Sequence, residues 1–144
     1  MSLKTYDPKK VILVIGGVPI GGYADGTFIL FERTTDMFSK VVGADGEVSR
    51  AKSNDKTGQF TITLLQTSDS NDILSGIAEL DERLNSGVVP AILKEMNGTT
   101  TIFSGTVWVR KKPNIEYSKE VTNREWVLDA AESEVFVGGN TGLF

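Results

Sequence analysis

Five aliphatic residues in succession, Val11-Ile12-Leu13-Val14-Ile15, run directly into Gly16-Gly17 and return as Val18-Pro19-Ile20 before Gly21-Gly22. A run this short, rich in β-branched side chains and closed by paired glycines, reads as a hairpin rather than a helix. Pro19 has no amide hydrogen to give to a ladder, so the return strand belongs at a sheet edge. The same pattern recurs down the chain. Phe60-Thr61-Ile62-Thr63-Leu64 alternates with period two, sending Phe60, Ile62 and Leu64 inward and Thr61 and Thr63 outward. Residues 88–94 and 100–110 flank Asn97-Gly98, a strong hairpin signal. In the second of these strands Ile102, Thr106 and Trp108 are expected on one face, and Phe103, Val107 and Val109 on the other. Residues 115–119 and 122–129 add two short strands, the latter with Trp126 and Leu128 opposite Glu125, Val127 and Asp129. Residues 27–34 hold four consecutive apolar side chains, Phe28 to Phe31, and a strand apolar on both sides faces a core on one and another element or subunit on the other.

Only residues 70–84 carry a helical period. Ser68, Asp69 and Ser70 supply capping candidates, and Asp72 puts negative charge in the first turn. Ile73, Leu74, Ile77, Leu80 and Leu84 form one stripe, Glu79, Asp81, Glu82 and Arg83 the other, and Gly87 is the stop signal. The expected fold is therefore mainly β: an antiparallel β-sandwich or partly open barrel with one α-helix, as a single domain over residues 1–144. The N-terminal and C-terminal arms, the latter running through glycines from Glu134 to Gly142, are expected to be flexible in an isolated subunit.

Residues 36–58 break this grammar. Residues 37–42, with Met37, Phe38, Val41 and Val42, are expected to continue as a strand into the turn Ala44-Asp45-Gly46-Glu47, and a polar segment bearing Arg50, Lys52, Asp55 and Lys56 follows. A connection this long is uncommon inside a compact domain and is typically functional or disordered. It offers no core to bury, so it is expected to stand off the domain as a long extended loop and touch another molecule.

Chemistry is hard to find. The chain has no histidine and no cysteine, which removes the commonest general base, the commonest metal ligand, thiol chemistry and disulfides together. Its carboxylates are scattered, and Asp45-Gly46-Glu47 is too short for a calcium loop. The Gly16–Gly22 string lacks the spacing of a phosphate-cradling loop, and Asn97-Gly98-Thr99 reads as a turn rather than a glycosylation acceptor. No enzyme activity, cofactor or metal is expected. The net charge of −4 argues against a surface that grips nucleic acid, though not against one that DNA passes without sticking. No secretory leader is visible at the start, and the apolar run at Val11 is far shorter than the roughly 20 residues of a membrane helix, so a cytosolic product with no membrane partner is expected. Edges and apolar surface that a monomer must protect, together with an arm that has no internal role, point to assembly.

Several segments also resemble a known family. Lys4-Thr5-Tyr6-Asp7-Pro8-Lys9-Lys10-Val11, Gly16-Gly17-Val18-Pro19-Ile20 and Gly22-Tyr23-Ala24-Asp25-Gly26-Thr27-Phe28 are similar to tail tube proteins of contractile-tailed bacteriophages. So are Asp36-Met37-Phe38, the Val41–Arg50 stretch, the helix start at Gln66-Thr67-Ser68, Arg124-Glu125-Trp126-Val127 and Phe136-Val137-Gly138-Gly139. The resemblance implies a virion structural protein, made in the cytoplasm of the bacterial host, whose homo-hexameric rings stack into a tube. The inner β-barrel of that tube would be the conduit for phage DNA during ejection, without specific binding. Implied partners are the surrounding tail sheath protein, the tape measure protein and baseplate or tail terminator proteins. Residues 36–58 would then be the inter-ring stacking loop, with Met37, Phe38, Val41 and Val42 giving apolar contacts and Asp45, Glu47, Arg50, Lys52, Asp55 and Lys56 giving ion pairs. Thr61, Thr63, Glu125 and Asp129 are the channel-lining candidates, on the argument that a basic wall would trap duplex DNA. Deleting residues 44–56 should leave a folded subunit that no longer polymerises. The alternative is a hexameric-ring tube protein of a type VI secretion or other contractile injection system. A third reading, a ligand-binding β domain, would use Trp108 and Trp126 as stacking residues, although core positions suit them better.

Overall fold

The structure, a computed structural model, describes residues 3–140. A single 3-10 turn (Pro8–Lys10) leads into strands β1 (Val11–Ile15), β2 (Val18–Pro19), β3 (Ile29–Arg33), β4 (Phe38–Val42), β5 (Val48–Lys52) and β6 (Gly58–Leu65). Helix α1 (Ser70–Leu84) follows, and then β7 (Val89–Glu95), β8 (Thr101–Lys111), β9 (Asn123–Ala130) and β10 (Glu134–Phe136). Every pairing is antiparallel. One sheet runs in the order β2-β1-β7-β8-β9-β6-β3, with β10 also paired to β8, while β4 and β5 form a separate two-stranded ribbon.

The β1–β2 hairpin closes through Gly16 at φ 60° and Gly17 at φ 82°, the two left-handed positions that a two-residue turn needs. It places Pro19 on the sheet's outermost strand, where its missing donor costs nothing. The large sheet curls until strands from both ends share one core. Leu13 and Ile15 of β1 lie in the same buried cluster as Phe60, Ile62 and Leu64 of β6 and Trp126 and Leu128 of β9. Its edge strands, β2 and β3, do not pair with each other, so the barrel stays open. Helix α1 joins that cluster through Leu74 and Ala78.

The chain crosses between sheet edges over residues 20–28, pinned by Ser70 Oγ accepting from Gly21 N–H (2.9 Å) and Ser68 Oγ–H donating to Gly21 C=O (2.6 Å). Gly22, at φ 74°, packs so tightly that a Cβ would meet Ser68 Oγ at 2.4 Å.

Strand β8 departs from simple alternation. Ala91 pairs with Ser104, but Val89 pairs with Val107, so Gly105 and Thr106 form a bulge with one residue more than the partner strand. The bulge reverses the parity expected from the sequence. Ile102, Ser104 and Val107 are buried, whereas Phe103 and Thr106 are exposed and Trp108 is only half-buried on the outer side. Trp126 is a core residue, its indole N–H donating to Asn71 Oδ1 (2.8 Å); Trp108 is not.

Helix α1 has the expected bounds but not the expected ends or stripe. Asp69 is itself helical and makes no side-chain cap; Ser68 Oγ accepts from Ser70 N–H instead. Asn85, left-handed at φ 55°, ends the helix, with its own N–H and that of Ser86 returning to Asp81 and Leu80 carbonyls. Gly87 lies beyond that cap. Leu80 and Leu84 are exposed; the end of β8 lies instead beside Ala78, Asp81, Glu82 and Asn85. Residues 115–119 form no strand, and the Asn97-Gly98 turn is a longer loop, closed by Glu95 N–H donating to Thr100 C=O (3.2 Å).

Candidate assembly surfaces

Residues 37–42, expected as a strand leading into the loop, form β4, and the polar segment after the turn, expected as loop, is strand as well. β4 and β5 pair from Phe38 opposite Lys52 to Val42 opposite Val48, and all ten residues are exposed. The turn that joins them uses Asp45 Oδ1 as acceptor for Glu47 N–H (3.1 Å) and Gly46 at φ 91°. Residues directly opposite one another share a face, so the ribbon has two distinct surfaces. One carries Phe38, Val42 and Val48 with Lys40, Arg50 and Lys52, and the Arg50 guanidinium lies 4.2 Å from the Phe38 ring centroid. The other carries Met37, Ser39, Val41, Ser49 and Ala51 and no charge. Met37, Phe38, Val41 and Val42 therefore do not form one stripe: they divide two and two.

The base of the ribbon is fastened to the body. Arg33 donates to Ser133 Oγ (3.2 Å) and to its carbonyl (2.6 Å), and Ser133 N–H and Oγ–H donate to Lys56 C=O. Lys56 Nζ pairs with Glu134 at 3.0 Å. Asp55 accepts from the Thr57 hydroxyl (2.6 Å) and N–H (2.9 Å), which hold its carboxyl below the usual carboxylate range. Asp55 and Lys56 are thus engaged within their own subunit, whereas among the described residues Lys40, Glu47, Arg50 and Lys52 form no ion pair.

The channel-lining candidates do share one face. Thr63 lies opposite Glu125, Gln59 opposite Asp129, and Thr61 opposite Val127, all on the side of β6 and β9 away from the core. Arg110 borders this face, donating to Gln59 Oε1 (3.2 Å) with Asp129 at 3.8 Å, so its charge is partly balanced there. Leu30 of β3, opposite Thr61, is exposed on the same side. At the other end of the sheet Ile92 and Phe103 are exposed cross-strand neighbours, with Ile12 beside them. The reversed parity of β8 hid this patch from the sequence.

The ends are attached where they are described. β10 runs along β8, Thr99 N–H donates to Gly139 C=O (3.0 Å), and the Asn140 side chain donates to Thr5 C=O. Residues 141 and 142 of the expected glycine-rich tail lie outside the described residues. Among the described residues no cluster of three or more acidic, His or Cys side chains could hold a metal ion, and no helix is long and apolar enough to cross a membrane.

A family model, described as the bacteriophage PhiTE tail tube protein, matches residues 15–138. The chain belongs to this phage tail tube family. It is 29% identical to "Structural protein ORF10" of Pseudomonas phage KPP10, over 94% of this chain and 83% of that protein. Among solved structures, a chain of the sheath–tube complex of an extracellular contractile injection system in its extended state superposes with a TM-score of 0.60 at 10% identity, covering 95% of this chain and 93% of that one. The sheath/tube terminator of such a system gives 0.60 at 12% identity, covering 94% and 99%. The tube-terminating cap of the anti-feeding prophage gives 0.58 at 9%, covering 94% and 93%. At these identities the likeness is one of fold. The tail tube fold is thus the open antiparallel sheet with one helix described above.

Proposed function

We propose that this tail tube protein forms hexameric rings that stack head to tail, and that the stacked channel conducts phage DNA. The observation that carries the reading is the β4–β5 ribbon. Its strands bury nothing in their own subunit, yet their base is fixed by Arg33, Lys56 and Ser133, which is how an arm is presented to a neighbour. Met37 and Val41 on one surface and Phe38, Val42 and Val48 on the other give it apolar area to bury. The two unpaired sheet edges supply the lateral partners that a ring needs. Thr61, Thr63, Glu125 and Asp129, presented together on a largely uncharged to acidic face, suit the wall of a channel that lets a polyanion pass. A sheath outside the tube and a terminator at its end are the partners that this reading supplies. The role is structural, not enzymatic.

Replacing residues 37–53 by a short Gly-Ser turn tests it. The body should remain folded, because the excised ribbon lies outside the core cluster. A cut at residues 44–56 would also remove the Lys56 carbonyl that holds Ser133, so the narrower excision is the cleaner one. Negative-stain images of the intact chain should show long tubes, and the variant should show none. Normal tubes from the variant, or a compact monomer from the concentrated intact chain, would overturn the proposal. Isolated rings would favour the secretion-system alternative.

A further inference from the structure

We infer that Arg124 is the receiving site for the hairpin tip of a second copy, its guanidinium taking the Glu47 carboxylate. This rests on the stacking-tube reading above. Arg124 is only 8% exposed and has no carboxylate within ion-pair distance among the described residues. Its Nη1 donates to Thr122 Oγ1 (2.8 Å) and Asn123 C=O (3.0 Å), and the Tyr117 ring centroid lies 5.2 Å from the guanidinium. Neutral acceptors for one nitrogen leave a mostly buried cation without a counter-charge and part of its donor fork unused. The neighbouring cation, Lys112, is already held by Glu79 (3.3 Å) and Glu82 (2.9 Å). Arg124 lines a recess of about 180 Å³ with Asn71, Ser75, Lys112, Pro113, Ile115 and Trp126. A planar fork at the wall of a small, largely apolar recess matches a single carboxylate.

Position selects the source of that carboxylate. The hairpin leaves the body beside Gly58, which pairs with Ala130, whereas Arg124 pairs with Leu64 at the far end of the same ladder. Six residues of strand, roughly 20 Å, separate the two. Copies related head to tail bring one subunit's hairpin to the next subunit's Arg124 end. Charge agrees in detail. At the tip Asp45 is occupied by its own turn, leaving Glu47 free, and the stem behind it carries Lys40, Arg50 and Lys52. The loop and strand around Arg124 carry Glu116, Glu120 and Glu125 together with Lys112 and Lys119, and Lys112 is already paired. An acidic tip thus meets a recess lined by a cation without a counter-charge.

The test is a double-mutant cycle on the critical concentration for tube formation, read by sedimentation with the full chain. Glu47→Gln and Arg124→Gln should each raise it roughly tenfold or more, and the double variant should be little worse than either single one. Glu47→Gln lies on the exposed tip, so its monomer should melt with the intact chain and any assembly defect is not a folding defect. Arg124→Lys, which keeps charge but loses the fork, should also assemble poorly if Arg124→Gln fails to fold. Assembly of Glu47→Gln at the intact chain's concentration, or effects that simply add, would overturn this pairing and leave the tube reading standing. Absence of tubes from the intact chain at any concentration would sink the tube reading first.

Discussion

Replacing Val41 by serine isolates the energy that the uncharged ribbon face contributes to stacking. Val41 is 70% exposed and Met37 is 63% exposed, so about two-thirds of each residue's surface remains available to a partner. Full burial of a valine or methionine side chain is worth about 1.5–3 kcal/mol, and the exposed share therefore amounts to roughly 1–2 kcal/mol each. A loss of 1.4 kcal/mol is tenfold in an equilibrium constant, so Val41→Ser should raise the critical concentration for tubes about tenfold. Met37→Ser with Val41→Ser should raise it about a hundredfold. Exposed ion pairs are each worth only about 0–1 kcal/mol, so Lys52→Gln should change it by less than Val41→Ser does. Light scattering against concentration measures assembly, and calorimetry on dilute monomer measures folding. The monomer's Tm should not move, because neither side chain contributes to the subunit's core. A fall in Tm of several degrees with unchanged assembly would show the ribbon packed against its own body and refute the reasoning.

Two further expectations concern the subunit alone. Asn85→Ala removes the short amide side chain that eases a left-handed backbone, and so meets more of the about 1–2 kcal/mol that this conformation costs an L-residue; urea denaturation should show a lower midpoint with unchanged slope, while Asn85→Gly should be neutral or stabilising. Tyr23 buries its hydroxyl oxygen without a hydrogen-bond partner among the described residues, and burial pushes its pKa from 10.0 up to about 12. The folded state thus favours the neutral phenol, a contribution fully present below pH 10 and lost as pH rises through about 12. Ultraviolet titration should show one late tyrosine, absent from Tyr23→Phe, and that variant should be more stable by about 1 kcal/mol at neutral pH.

What the sequence revealed depended on whether a buried face existed to impose a period. β6 and β9 alternate between core and solvent, so the sequence shows Phe60, Ile62 and Leu64 inward and Trp126 and Leu128 on one shared face, and all five are buried. In β5 the alternation Val48-Ser49-Arg50-Ala51-Lys52 is present, but neither face is buried, and the segment reads as a polar loop. Gly105 inside an apolar run is the available sign of the β8 bulge; without it Val107 is grouped with Phe103 and Trp108 with Ile102, whereas across the bulge Val107 shares the buried face of Ile102. The helix stripe extends to Leu80 and Leu84 in the sequence, but β8 meets the last turns of α1 at Asp81, Glu82 and Asn85 instead. A period shows which residues line up on a helix, not which of them the sheet meets.

Arg124 follows from the same logic. Parity with Trp126 and Leu128 puts residue 124 on the inward face, and a cation there needs either an anion or a way out to water. The structure supplies neither in full: the residue is nearly buried, and Thr122, Asn123 and Tyr117 give it only neutral partners. Arg33, inward at the hairpin end of β3, also lacks a carboxylate partner, but its Nε and Nη2 both donate to Ser133, and the fixed base of the arm results. Two inward arginines thus stand at opposite ends of the open sheet, one with two nitrogens bonded across to Ser133 and one with a single nitrogen bonded to its own strand neighbours. In the proposed stacking that difference gives the subunit a direction, with the arm rooted at the Arg33 end and the unused donors of Arg124 at the other. Units with a projecting end and a receptive end add along one axis without exhausting either, which a self-complementary twofold contact does not allow.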